Sequence, residues 1–121
     1  SMTPTIIMKD GELFFTTGSP GGSRIISAVL QSILNIIDFE MNLEEATFAK
    51  RIHHQWQPDV LEIEFSIENE AKAELENMGY SIEIKEPLTC IQTIMFSNNK
   101  YYGYGDFRRP DALASGKIND R

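Results

Sequence analysis

The chain of 121 residues is poor in the residues that define several protein classes. It has a single cysteine, Cys90, so no internal disulfide can form and the disulfide-rich secreted class is excluded. Its two histidines, His53 and His54, are too few for a zinc site unless carboxylates complete it. No apolar run approaches the roughly 20 residues that a membrane-spanning helix requires.

Positive charge is also scarce. Lysine and arginine number 11 and aspartate and glutamate 18, so the net charge is 11 − 18 = −7 and the isoelectric point is about 4.7. Nucleic acids and anionic membranes bind concentrated positive charge, so we expect neither as a partner. Hydrophobic residues make up 41% and charged residues 24%, which predicts one folded domain over residues 1–121.

Two hairpins are predicted near the ends of the chain. Asp10-Gly11 lies between β-rich runs over residues 5–17, and a type I′ turn needs positive φ at both central positions. Residues 97–100 join predicted strands at 91–96 and 101–104 in the same way. Helices between the hairpins would cover the antiparallel sheet, so the predicted fold class is α+β.

The longest predicted helix covers residues 24–38. Its apolar residues recur at steps of three and four and form a stripe of Ile26, Val29, Leu30, Ile33 and Ile37. Further apolar residues widen this stripe, which predicts burial on more than one side.

The remaining elements follow from caps and alternation. Asn42 and Glu45 stand in capping-box positions before a short helix over residues 43–50. Residues 51–59 are predicted to be irregular, and residues 60–65 a strand with Glu62 and Glu64 facing solvent. Ser66 is predicted to cap a helix over residues 67–78, followed by a strand at 80–84 and a polar, loop-like tail from residue 106.

The glycine-rich segment over residues 18–23 carries the clearest chemical signal. It lies between a predicted strand and a helix N-terminus, where backbone N–H groups have no partner within the helix. Such groups attract a carboxylate, a phosphate or a developing oxyanion. A tight strand-to-helix turn with a serine cap explains the same residues, and spacing alone favours that interpretation.

Other candidate sites are weaker. Adjacent histidines on an extended chain point in opposite directions, so we expect His53 and His54 to bond to the backbone in an ordered loop, with Trp56 packed. The acid pairs Glu44-Glu45, Glu62-x-Glu64 and Glu68-x-Glu70 are expected to be solvated. Cys90 shows no sign of activation and is expected to be inert. No metal or cofactor is predicted.

Several motifs taken together resemble the γ-glutamyltransferase family, in particular the C-terminal part of the bacterial small subunit. The resemblance is dense over residues 1–58 and continues to about residue 116. The segments that carry it are Ser1-Met2-Thr3-Pro4-Thr5, Thr17-Gly18-Ser19-Pro20-Gly21-Gly22-Ser23-Arg24, Asn35-Ile36-Ile37-Asp38, Glu45-Ala46-Thr47 and Arg51-Ile52-His53-His54-Gln55-Trp56-x-Pro58.

The resemblance implies an N-terminal-nucleophile hydrolase with a four-layer αββα sandwich shared between two subunits. In that family a threonine freed by self-cleavage attacks the γ-glutamyl amide of glutathione or a relative. The glutamyl group then passes to water, an amino acid or a peptide. A periplasmic or extracellular location is implied as well.

Residue by residue, Gly21 and Gly22 match the glycine pair whose amides stabilise the tetrahedral intermediate and contact the substrate. Ser1 matches the second serine of a pair that holds the substrate's α-carboxylate, although Ser1-Met2 could also be a tag remnant. Asp106-x-Arg108 matches a late family motif that we interpret as structural. The sequence departs from the family at 89–92, where small residues are usual before the glutamine.

The family's nucleophilic threonine and its substrate-binding acids and arginine have no match here. We therefore expect a C-terminal fragment of the small subunit that is inactive alone and self-associates, and that needs the rest of that subunit and the large subunit. The alternatives are a non-catalytic assembly module and a related acylase of the same superfamily.

Overall fold

The computed structural model describes residues 3–117, and its fold is α+β, as the sequence predicts. Its elements, in chain order, are β1 Thr5–Lys9, β2 Glu12–Gly18, a 3₁₀ turn Gly22–Arg24, α1 Ile25–Ile37, α2 Leu43–Phe48, β3 Ile52–His53, β4 Leu61–Glu64, α3 Asn69–Asn77, β5 Ile82–Lys85, β6 Gln92–Ser97 and β7 Lys100–Gly103. Within these residues, no helix combines the length and apolar character needed to cross a membrane.

Both predicted hairpins are present in one antiparallel sheet with strand order β1-β2-β6-β7. The first turn has φ of 52° at Asp10 and 81° at Gly11, and the second has φ of 52° at Asn98 and 58° at Asn99. These positive values are those that the hairpin prediction requires. The two ends of the chain therefore meet in the middle of the sheet, where β2 pairs with β6.

Helices α1 and α2 cover one face of this sheet. Phe15 of β2 is fully buried and packs with Ile36 and with Leu43 and Ala46 of α2. The start of α1 forms a second cluster, which contains Ile25, Ala28, Val29 and Ile91. The second cluster lies directly after the glycine-rich segment and anchors the first turns of α1.

The predicted apolar stripe of α1 is wrong about which residues are buried. Ile26, Leu30 and Ile37 are 72%, 53% and 49% exposed, whereas Ala28 and Ser32 are buried. Because α1 is apolar around most of its circumference, its period alone cannot say which side meets the sheet. The exposed isoleucines and leucine leave a second apolar face on this helix.

A smaller mixed sheet with strand order β3-β4-β5 stands apart from the hairpins. Strands β4 and β5 are parallel and are joined through α3, a connection that requires a crossover. The prediction that residues 51–59 are irregular is wrong at Ile52–His53, which pairs with β4.

The predicted cap of α3 is also wrong. Its N-cap is Glu68, which makes no capping side-chain bond, while the hydroxyl of Ser66 accepts a hydrogen bond from Lys50 Nζ at 2.6 Å. No residue of α3 is buried, so packing does little to place its first turn.

Candidate functional site: a glycine turn braced by two polar networks

The strand β2 ends at Gly18, and the chain then reverses through residues 18–23, here called the glycine turn, into α1. Gly21 has φ of 140° and Gly22 has φ of 61°, values that side-chain-bearing residues adopt at a cost. The Arg24 N–H donates to the Gly21 carbonyl, which closes the 3₁₀ turn before α1. The two glycines thus serve backbone geometry, as the sequence suggests.

The backbone donors of this turn are available to a ligand. Gly21 and Gly22 are both exposed, and within residues 3–117 neither of their N–H groups donates a hydrogen bond. They precede the 13-residue α1, whose N-terminal end carries partial positive charge. An arrangement of this kind can hold an anion or the oxygen of a tetrahedral intermediate.

The space that a side chain at Gly21 would occupy is already filled. A Cβ placed on Gly21 would lie 2.9 Å from Thr89 Cγ2 and 3.5 Å from the Leu88 carbonyl oxygen. Gly22 has no heavy atom within 4 Å of the corresponding position. One glycine is therefore required by contact and conformation together, and the other by conformation alone.

A polar network joins the C-terminal end of the glycine turn, at Ser23, to β3. Ser23 Oγ donates to Gln55 Oε1 at 2.8 Å, and His53 Nε2 contacts the same oxygen at 2.9 Å. Because an amide oxygen only accepts, His53 must carry its proton on Nε2. His53 Nδ1 then accepts from Ser27 Oγ at 2.7 Å. The buried His53 thus joins the glycine turn, the first turn of α1 and the short strand β3.

The expected backbone bonding of the histidines is wrong for His53, whose ring nitrogens contact side chains. It is confirmed for His54, whose Nδ1 accepts from the backbone N–H of Trp56 at 3.2 Å, while its Nε2 contacts Asp59 Oδ1 at 3.0 Å. The prediction that Trp56 is packed is wrong, since its side chain is 76% exposed. Within residues 3–117, no group of three histidine, cysteine, aspartate or glutamate side chains could hold a metal ion.

An ion pair joins the end of the 3₁₀ turn to β4. The Arg24 guanidinium donates two hydrogen bonds of 2.7 Å to the carboxylate of Glu62. The hydrogen bond raises the pKa of Arg24 and lowers that of Glu62. The prediction that Glu62 is a solvated surface residue is therefore wrong, since its side chain is committed to this pair.

The second acid of the pair, Glu64, is fully buried, which also contradicts the predicted outward orientation. Its carboxylate accepts from Arg108 Nη2 at 2.7 Å. It also accepts from two backbone N–H groups, that of Arg51 at 3.0 Å and that of Leu88 at 2.8 Å. The reason is tertiary: segments distant in sequence supply these partners, and the Arg108 guanidinium balances the charge of Glu64.

Asp106 completes this arrangement, called here the charged cluster: Arg51, Glu64, Asp106 and Arg108. Asp106 accepts from Arg51 Nη2 at 3.1 Å, from Arg108 Nη1 at 3.0 Å and from the Ile91 N–H at 2.8 Å. The polar tail predicted from residue 106 is thus wrong at its start. The structural interpretation of Asp106-x-Arg108 agrees with this burial.

Burial and ion pairing act in opposite directions on the pKa values of the charged cluster. Burial alone raises the pKa of Asp106, but the Ile91 N–H and the arginines Arg51 and Arg108 outweigh it, and the pKa lies below its ordinary value. Burial and the neighbouring Arg108 lower the pKa of Arg51. Both groups remain charged near neutral pH because each ionised form is hydrogen-bonded.

Cys90 lies beside the cluster without joining it. It is buried, and burial raises the pKa of its thiol, followed in effect by the charge of Asp106. A protonated, inaccessible thiol is a poor nucleophile. The expectation that Cys90 is inert agrees with this environment.

The structure brings together only some of the residues that the sequence singled out. Gly21 and Gly22 lie side by side in the turn, whereas Ser1 lies outside the described residues. Sequence reasoning missed Thr89 as the neighbour of Gly21, because no local pattern connects positions 68 residues apart. In the sequence, residues 89–92 stand out only as a departure from the family pattern.

Comparisons of sequence agree with one another. A family model described as gamma-glutamyltranspeptidase matches residues 1–116. The glutathione hydrolase proenzyme of Escherichia coli (strain K12) is 45% identical over 117 residues, which are 96% of this chain and 20% of that protein. Glutathione hydrolase proenzyme 1 of Schizosaccharomyces pombe is 32% identical over 118 residues, 95% of this chain and 19% of that protein. The chain spans about a fifth of the length of these relatives.

Comparisons of structure agree with them. The crystal structure of a mutant gamma-glutamyltranspeptidase from Helicobacter pylori gives a TM-score of 0.85 at 43% identity, covering 90% of this chain and 61% of that one. The enzyme from Pseudomonas nitroreducens in complex with L-DON gives 0.85 at 31% identity, covering 99% and 63%. The predicted fold class, part of an αββα sandwich with helices on an antiparallel sheet, is confirmed.

Proposed function

The chain belongs to the gamma-glutamyltranspeptidase family, and from this premise we propose that it is the C-terminal part of a small subunit that cleaves γ-glutamyl amides such as glutathione. The γ-glutamyl group passes from an acyl-enzyme to water or to the amine of an amino acid or peptide. The remainder of the small subunit and a large subunit supply the nucleophile and the rest of the site, in the periplasm or outside the cell. In this proposal residues 1–121 fold as one unit of that small subunit.

The role of this chain in the reaction is to stabilise negative charge. When a nucleophile attacks the γ-carbonyl, the carbonyl oxygen gains charge, and N–H groups aimed at it lower the barrier. The observation that carries the proposal is the pair of exposed, unused N–H groups at Gly21 and Gly22. Ser1 holds the substrate's α-carboxylate in the same proposal.

The experiment removes one donor without changing the backbone shape. Proline at position 22 would not serve, because its fixed φ near −65° is incompatible with the φ of 61° at Gly22. Residues 1–117 replace the matching segment of the E. coli enzyme, and glycolic acid replaces Gly22 by semisynthesis, so that an ester oxygen stands where the N–H was.

Hydrolysis of γ-glutamyl-p-nitroanilide then reports kcat and KM. We expect kcat to fall on the order of 10²-fold, the usual loss for one oxyanion donor. The same replacement at the exposed Gly116 is the matched control and should leave kcat unchanged. Unchanged kcat with the ester at position 22 contradicts the proposed role. Turnover of a glutaryl amide in place of the γ-glutamyl anilide by the native parent enzyme would favour the related acylase.

The isolated chain is expected to be inactive and to self-associate. Its only thiol is buried, and in this proposal the nucleophile is supplied by the remainder of the small subunit. Ile26, Leu30 and Ile37 expose an apolar face on α1, and Ile6 and Ile94 do so on the sheet. Light scattering behind size exclusion at low micromolar concentration should show a dimer or larger species. A cooperative, monodisperse monomer would contradict self-association and leave the catalytic proposal standing.

A further inference from the structure

The glycine turn has little internal support for a fixed shape. Two consecutive glycines with positive φ have more conformational freedom than other residues, and their N–H groups make no bond that holds them. An oxyanion site, in contrast, works through donors whose orientation is set before the charge develops. Some other contact must therefore restrict this turn.

Thr89 provides that contact. Its Cγ2 lies 2.9 Å from the position of a Cβ on Gly21, so its methyl group rests against the Gly21 backbone. Thr89 is buried, and the Leu88 carbonyl oxygen is the other close neighbour of Gly21. The glycine can move toward this loop only by displacing it.

The loop that carries Thr89 is held by the charged cluster. Arg51 Nη1 donates to Thr89 Oγ1 at 3.3 Å and to the Thr89 carbonyl at 3.4 Å. On either side, the Leu88 N–H donates to Glu64 and the Ile91 N–H donates to Asp106, each at 2.8 Å. The loop is thus tied by hydrogen bonds to three buried charged side chains, Arg51, Glu64 and Asp106.

We propose that Thr89 is a positioning residue for γ-glutamyl transfer: its methyl group, backed by the charged cluster, holds Gly21 and Gly22 in the orientation that receives the oxyanion. The inference rests on the proposed function of the turn. Thr89 touches neither the reacting atoms nor the substrate in this account. Its effect passes through the Gly21 backbone.

Two variants of Thr89 in the chimeric enzyme separate its two contacts. Thr89→Ser keeps the hydroxyl that Arg51 binds and removes the methyl group that faces Gly21. We expect kcat to fall roughly 10-fold, below the roughly 10²-fold that a 1 Å misplacement can cause, with KM changed less than about twofold. Affinity for a γ-phosphonate analogue with a tetrahedral anion should fall in parallel with kcat. The melting temperature should change little.

Thr89→Val keeps a methyl group toward Gly21 and removes the acceptor of Arg51. It should lower the melting temperature, because a buried donor loses a partner, and kcat of the folded enzyme should fall less than in Thr89→Ser. Thr93→Ser is the control: Thr93 is equally buried, bonds to Thr17, and is not among the close neighbours of Gly21. It should leave kcat and analogue affinity unchanged.

The opposite pattern overturns the inference. If Thr89→Ser retains kcat and analogue affinity, or if Thr93→Ser loses as much of both, Thr89 does not position the turn. An ester at position 22 that costs about 10²-fold beside a fully active Thr89→Ser rejects the positioning role alone. An ester without effect rejects the proposed function and the positioning role together.

Discussion

The glycine turn and the charged cluster meet at Thr89 and treat their polar groups in opposite ways. In the cluster, Arg51, Glu64, Asp106 and Arg108 are withdrawn from water, and their charges are matched by ion pairs and backbone bonds. In the turn, backbone donors face solvent without a partner in the described chain. Polar groups that already have hydrogen-bond partners stabilise the fold, whereas backbone donors without a partner remain available to bind a ligand.

The comparison also separates two kinds of sensitivity. Loss of one side chain of the charged cluster leaves its partners buried and unpaired, so the free energy of unfolding should fall. Loss of one N–H in the glycine turn leaves no buried group without a partner, so we expect kcat to fall more than stability does. Single substitutions in the two regions can test this division.

The largest effect is expected for Arg108→Met. Its guanidinium bonds to Glu64, to Asp106 and to the carbonyls of Thr47 and Ala49. Removal leaves two buried carboxylates short of a partner, and unfolding free energy should fall by about 3–5 kcal/mol. Urea unfolding followed by circular dichroism measures this loss. Arg109→Met, at the exposed neighbouring arginine, should change stability little. Equal losses of stability in the two variants would show that the charged cluster is not especially sensitive.

The two glycines of the turn should differ in their tolerance of alanine. Gly21→Ala combines φ of 140° with a methyl 2.9 Å from Thr89 Cγ2, and should cost about 2–4 kcal/mol. Gly22→Ala enters open space at φ of 61° and should cost about 1 kcal/mol. Thermal unfolding of both variants tests the difference. Equal costs would mean that the 86–91 loop does not confine Gly21.

Acid should weaken the cluster through Asp106. Its pKa is depressed on folding, so its stabilisation is present above the unfolded value of about 3.9 and is lost as pH falls through the folded pKa. The stability difference between the parent and Asp106→Asn should therefore be constant near neutral pH and shrink below about pH 4. Denaturation at a series of pH values measures it. A difference that is independent of pH would show that Asp106 is not ionised in the fold.

The smallest effect is expected at the ion pair beside the turn. Arg24→Lys keeps the charge but cannot make two parallel bonds to Glu62, and Arg24 is partly exposed. Stability should fall by about 0.5–1 kcal/mol or less. Urea unfolding at low and high salt checks this, since screening should shrink the loss. A loss of stability as large as that of Arg108→Met would mean that Arg24 behaves like a member of the charged cluster.

Local patterns predicted much of this fold. Asp10-Gly11 produced the expected hairpin, and Asn42 with Glu45 formed the expected capping box, with bonds of 2.8 and 3.1 Å. The period of α1 predicted its span within a residue at each end. Each of these depends on neighbours a few residues apart, which the sequence contains explicitly.

The errors involve burial that distant segments create. Strand alternation placed Glu64 toward solvent, but Arg51 and Arg108 surround it, and alternation cannot register partners 13 and 44 residues away. Ser66 fits a cap by type, but the N-cap of α3 is Glu68, two residues later. Trp56 is large and apolar and is nevertheless exposed.

The hairpins, the main helix and the glycine turn follow from local sequence, because turn conformation and helical period are set by residues close together along the chain. Long-range packing, in contrast, determines which face of α1 is buried, which acids form ion pairs and which residues contact Gly21. Those outcomes depend on contacts such as Thr89 with Gly21 and Asp106 with Arg51, which form when segments far apart in sequence are packed together and water is excluded between them.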